Sequence, residues 1–129
     1  MRIEHVAMYV RDLERSRKFY ETYFQTKAGP LYHNEETGFR SYFLTFGGGA
    51  RLEIMQRPGR SEPDRDETRT GYVHMAISVG SEKAVDDLTR RLREDSYEVT
   101  SGPRLTGDGY YESVVLDEEG NPVEITAGL

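Results

Sequence analysis

The chain has no cysteine in its 129 residues. That excludes disulfides, thiolate nucleophiles and thiolate metal sites, and fits a reducing, cytoplasmic setting. Long apolar runs are missing too: nothing in the sequence approaches the roughly 20 residues of a membrane helix, so no membrane association is expected. The opening MRIEHVAMYVRD has too short an apolar run, and no small-residue cleavage site, for a secretory signal. There is no excess of positive charge. Lys and Arg total 17 against 23 Asp and Glu, for a net charge of −6, and the pI is near 5.1. Without a basic stripe, nucleic acid and anionic membranes are not expected partners. The hydrophobic fraction is low, 36%, but at this length it suffices for the core of one domain.

What is present alternates in type. IEHVAMYV (3–10) reads as a strand, and DLERSRKFYETYF (12–24) as a helix capped by Asp12, with Leu13, Tyr20, Tyr23 and Phe24 near helical spacing. TKAGPLYHNEETG is mostly loop, with room for a short strand near Leu31. FRSYFLTF (39–46) and ARLEIMQ (50–56) read as strands joined by GGG (47–49). The glycines suit a hairpin turn, and no helix follows them as a phosphate-cradling loop would need. RPGRSEPDRDETRTG (57–71) is polar, holds two prolines, and reads as a solvated loop between halves. The order then recurs. YVHMAISV (72–79) is a strand, and SEKAVDDLTRRLRED (81–95) a helix capped by Ser81 with Ala84, Val85, Leu88 and Leu92 on one face. YEVTSGP (97–103), YYESVVLD (110–117) and PVEITA (122–127) are strands.

This is an internal repeat, in residues as well as in elements. HVAMYV (5–10) aligns with HMAISV (74–79), and LEI (52–54) with VEI (123–125). It implies one α+β domain over 1–129, built from two tandem βαβββ modules, about 1–57 and 71–129, joined by a loop at 58–70. A curved mixed sheet around a cleft is the expected architecture.

Alternation along a strand puts His5, Ala7 and Tyr9 on one face and Val6, Met8 and Val10 on the other. Likewise His74, Ala76 and Ser78 oppose Val73, Met75, Ile77 and Val79. The apolar faces are expected to meet the helices. Glu53 and Glu124, each between two aliphatic residues, then point away from the helices with the histidines. Two His and two Glu on one side form a charge-balanced donor set for a divalent cation. Without a cation, two buried carboxylates would repel each other. His33 has no counterpart in the repeat and is not expected to be a ligand.

The paired modules, the IEHVAMYVRDLERSRKFYETYF opening, the HMAISV strand and the closing LDEEGNPVEI make the chain resemble the vicinal oxygen chelate superfamily, the glyoxalase/bleomycin-resistance fold. The resemblance runs along nearly the whole chain and maps the superfamily's metal positions onto His5, Glu53, His74 and Glu124. A His/Glu/His/Glu set most resembles bacterial glyoxalase I, lactoylglutathione lyase. It implies a metal-dependent lyase or isomerase acting on a small oxygen-chelating substrate, such as a 2-oxoaldehyde–thiol hemithioacetal, through an enediolate. A ligating glutamate, Glu124 or Glu53, would move the proton. The implied cofactor is one divalent ion per site, nickel or zinc first, with cobalt, manganese or iron compatible. The resemblance also implies a homodimer, sometimes with each site built from both chains.

Other members are epimerases, dioxygenases or thiol transferases, and some are non-catalytic binding or resistance proteins. This chain departs from bacterial glyoxalase I at Tyr9, where an arginine used on the glutathione moiety commonly stands. Tyr9, Arg51, Tyr110 and Tyr111 are the residues expected to line the substrate pocket, Tyr110 and Tyr111 as part of a mobile lip over 106–113. Arg40 and Arg104 are further sources of a cation.

Overall fold

A computed structural model describes residues 1–128 except Asp64, Glu67 and Arg69. Those three positions of the expected 58–70 loop, and Leu129 at the end of the second module, lie outside the described residues. The chain divides into two compact units, Met1–Arg69 and Thr70–Leu129. Each is a mixed sheet with one helix, the α+β class read from the repeat.

The first unit runs β1 (His5–Tyr9), α1 (Leu13–Phe24), β2 (Lys27–Ala28), β3 (Tyr32–Asn34), β4 (Phe39–Thr45) and β5 (Arg51–Gln56). Its sheet order is β1-β5-β4-β2, with β3 also pairing with β4. The second unit runs β6 (Met75–Ser78), α2 (Glu82–Glu94), β7 (Val99–Leu105), β8 (Tyr111–Leu116) and β9 (Pro122–Thr126). Its sheet order is β6-β9-β8-β7. In both units the first strand pairs in parallel with the last, and the last is antiparallel to its other neighbour. Parallel pairing requires a crossover, and the helix provides it.

The caps are where the sequence puts them. The Asp12 side chain accepts from the Arg15 N–H at 3.0 Å, and Ser81 Oγ from the Ala84 N–H at 3.2 Å. Helix α1 buries Leu13, Phe19, Tyr20 and Phe24 over β4 and β5, where Leu44, Leu52 and Ile54 are also buried. Phe19 thus joins the expected stripe, while Tyr23 is only half-buried. Helix α2 packs on β7, β8 and β9 through Val85, Thr89 and Leu92. Thr89 takes a place expected of aliphatic residues, because its hydroxyl is satisfied twice at 2.6 Å: it donates to the Val85 carbonyl and shares a hydrogen bond with Ser113 Oγ. The glycine run 47–49 makes the β4–β5 hairpin, with positive φ at Gly47 and Gly49.

The first strands differ from expectation. Residues 72–74 stand outside β6, with Tyr72 and Val73 exposed. Val6 is 45% exposed as well, so it does not face the helix. The physical reason is position. Among the described residues, strands β1 and β6 end their sheets with a neighbour on one side, while α1 packs on β2, β4 and β5, and α2 on β7, β8 and β9. Only Met8 and Val10 in one unit, and Met75, Ile77 and Val79 in the other, gain partial or full burial. No helix among the described residues is long and apolar enough to cross a membrane.

One backbone approach is tight. A Cβ at Gly102, in β7, would meet the Glu112 carbonyl oxygen at 2.5 Å and the Ser113 Cα at 2.9 Å, and φ there is +78°. Both neighbours are backbone and cannot swing away. Gly102→Ala is therefore expected to destabilise the protein by at least about 2 kcal/mol, read as a lower urea midpoint with the slope retained. An unchanged midpoint would show that β7 can move off β8.

Candidate functional site

Each unit carries one His–Glu pair, built the same way. In the first, β1 and β5 pair so that Ala7 stands opposite Glu53 and His5 opposite Arg51. In the second, Ala76 stands opposite Glu124, and His74 lies one residue before the strand. Both glutamates alternate with residues that face the helix: Leu52 and Ile54, or Val123 and Ile125, all at most 1% exposed. The glutamates accordingly lie on the opposite face. The alanine methyl leaves room beside each glutamate for the carboxylate to reach the histidine two residues away. His5 Nε2 lies 3.8 Å from Glu53 Oε2, and His74 Nε2 lies 3.2 Å from Glu124 Oε2. Exposures match between units, 41% and 42% for the histidines against 15% and 13% for the glutamates. Each pair thus offers a nitrogen and an oxygen at an open edge.

These donors suit a divalent ion. Ligand atoms at about 2.0–2.2 Å from one ion are about 2.8–3.6 Å from each other at octahedral or tetrahedral angles. The second pair already has this spacing, and the first is slightly wider. Among the described residues, no group of three or more His, Asp or Glu gathers to hold an ion, so each unit brings a pair.

The surroundings differ between units. Around His5, Nδ1 makes a hydrogen bond with the Glu4 carboxylate, and Arg51 donates to Glu4. The hydrogen bond from His5 is the main reason that the Glu4 carboxyl is held below its usual range, helped by Arg51. The Arg51 guanidinium lies 4.1 Å from the Phe43 ring centroid, and His5 meets the same ring edge-on at 5.3 Å. In the second unit a further carboxylate appears. Glu112 of β8 is buried, its Arg104 ion pair measures 3.4 Å, and it also contacts Glu124. Burial first, and then the charge and hydrogen bond of Glu112, push the Glu124 carboxyl up. Sequence reading missed Glu112. Its signal was parity: β8 alternates, and Glu112 falls two residues before Val114, the β8 partner of Glu124.

Of the expected pocket residues, Tyr9 and Arg51 belong to the first unit and Tyr110 and Tyr111 to the second. Arg51 joins the His5 cluster. Tyr9, at the end of β1, is 41% exposed, with the Arg60 guanidinium 4.7 Å from its ring centroid. The Tyr110 backbone is tied to Thr106, whose hydroxyl accepts from the Tyr110 N–H at 2.9 Å. The Tyr111 hydroxyl donates to Asp86 on α2 at 2.7 Å. It therefore serves the helix side of β8, away from Glu124. His33 lies on β3, exposed.

A family profile described as the Glyoxalase/Bleomycin resistance protein/Dioxygenase superfamily matches residues 2–125. The chain belongs to this superfamily. Among glyoxalase-superfamily relatives, it is 26% identical to a lactoylglutathione lyase of Escherichia coli O157:H7, covering 97% of this chain and 91% of that protein. It is 28% identical to the metallothiol transferase FosB of Shouchella clausii, covering 98% and 80%. Among solved structures, the trypanothione-dependent glyoxalase I of Leishmania major superposes with a TM-score of 0.78 at 26% identity, covering 98% of this chain and 86% of that one. A glyoxalase/bleomycin-resistance/dioxygenase domain from Frankia shares the fold, with a TM-score of 0.82 at 23% identity over 100% and 98% of the two chains.

The crowded carboxylates give a signed prediction. Because the Glu124 carboxyl is raised on folding, its contribution favours the folded state at low pH and is lost as pH rises through the folded-state value. Glu112→Gln removes one cause of the rise. The metal-free variant is expected to melt a few degrees above wild type at pH 7, and the gain should shrink at pH 4. A lower Tm at both pH values would mean that the bond from Arg104 outweighs the repulsion.

Proposed function

We propose that the chain is a metal-dependent lyase or isomerase of the glyoxalase type. Its substrate would be a small oxygen-chelating molecule such as a 2-oxoaldehyde–thiol hemithioacetal. The observation that supports this most is the repeated His–Glu pair, at equivalent register and with matched exposure in both units. We assign His5 with Glu53 and His74 with Glu124 as donors for a divalent cation, nickel or zinc first, in a protein that we expect to be a homodimer. We place the protein in the cytoplasm.

His5, Glu53, His74 and Glu124 would hold the cation, which would supply Lewis-acid polarisation of a substrate carbonyl and so acidify the adjacent C–H. The side chains supply the rest. The imidazoles hold their positions through nitrogen. A carboxylate, Glu124 or Glu53, takes the proton from one carbon and returns it to its neighbour. Both carboxylates are mostly buried, at 15% and 13% exposure. Tyr9 and Arg51 flank the first pair along its strands and are our candidates for orienting substrate. The comparable identity to a metallothiol transferase supports a second reading, thiol addition to an electrophile at the same residues.

The test is metal loading of the untagged chain, followed by assays of hemithioacetals formed from several thiols. One divalent ion per chain is expected. His74→Ala should lower metal affinity by at least about tenfold and reduce turnover in step. Protein that stays metal-free in every loading, or a His74→Ala variant with undiminished affinity, would overturn the assignment.

A further inference from the structure

The two units hold their histidines differently. Val73 precedes His74, whereas Glu4 precedes His5, and the Glu4 carboxylate accepts from His5 Nδ1. That carboxylate is itself constrained. Arg51 holds Glu4 twice, donating its backbone N–H to the Glu4 carbonyl at 2.9 Å and its guanidinium to the side chain. The guanidinium is in turn seated on the Phe43 ring, which also packs against His5. Phe43 stands opposite Glu53 in the β4–β5 ladder. Phe43, Arg51, Glu4, His5 and Glu53 therefore form one closed set of contacts around a single imidazole.

In a neutral imidazole the proton sits on one nitrogen, and the other keeps its lone pair. A carboxylate on Nδ1 puts the proton there. The lone pair is then on Nε2, the atom that faces Glu53. Histidines that bind metals are commonly oriented in this way by a second partner.

We propose that Glu4, clamped by Arg51, is a positioning residue: it fixes His5 in the Nδ1–H tautomer and so presents Nε2 as a donor. The second unit has no counterpart, because Val73 stands in the equivalent place. The role rests on the metal reading above, but the tautomer does not. The first pair is thus set before an ion arrives, whereas His74 takes its orientation from the ion and Glu124.

The test uses the full metal-free chain labelled with 15N, with long-range 1H–15N spectra recorded above about pH 8, where an ordinary histidine is neutral. Wild-type His5 is expected as Nδ1–H. Glu4→Gln should keep that pattern, since its amide oxygen still accepts. Glu4→Ala should move His5 towards Nε2–H and leave His74 unchanged. By calorimetry with zinc or nickel, Glu4→Ala should bind about 10–100-fold more weakly than wild type, and Glu4→Gln should restore most of the loss. A His5 tautomer that is the same in Glu4→Ala overturns the proposal, as does unchanged metal affinity in that variant. A wild-type chain that binds no divalent ion overturns the metal reading and the presenting role with it, whatever tautomer is seen.

Discussion

The parallel pairing of the first and last strand in each half is the constraint on which the rest depends. It sets Ala7 beside Glu53 and Ala76 beside Glu124. Each carboxylate lies across from that alanine and within 3.8 Å or 3.2 Å of the histidine two residues before it. The pairing also demands a crossover, so each half carries a helix between its first strand and the others. That helix packs on the later strands of its unit and leaves the first strand at one sheet end, where its histidine is exposed.

Duplication repeats this frame without repeating its surroundings. In the first half an aromatic ring, an arginine and a preceding glutamate grip the histidine. In the second half the histidine lies just before its strand, and the glutamate is the crowded member. Glu112 lies two residues from the β8 partner of Glu124, whereas Ser41 holds the matching place on β4. One half constrains its nitrogen donor and the other loads charge onto its oxygen donor.

Much of the architecture was legible from periodicity and caps. Asp12 and Ser81 announce helix starts because a short acceptor before an apolar stripe has few other uses. Glu53 and Glu124 declare their face because the aliphatic residues on either side are core. Other features were not legible. Val6 and Val73 read as core but are exposed, because strand periodicity does not reveal that β1 and β6 end their sheets. Thr89 reads as polar but is buried, because its partner Ser113 is 24 residues away. The bond from the Tyr111 hydroxyl to Asp86 on α2 has no local signal, because the two residues are 25 apart. Superfamily membership accounts for the fold, and low identity to its relatives leaves the reaction to the site residues.

The sequence by itself determined the duplication, the two crossover helices and the matched His and Glu positions, since these follow from local patterns that repeat. Only the tertiary structure decided what each matched residue touches. Glu4 is adjacent to His5 in the chain, but Arg51 and Phe43 join them only through the β1–β5 and β4–β5 ladders. Glu112 meets Glu124 only because β8 and β9 pair in one register. Register is a property of strands brought together from distant parts of the chain, and a local pattern does not specify it.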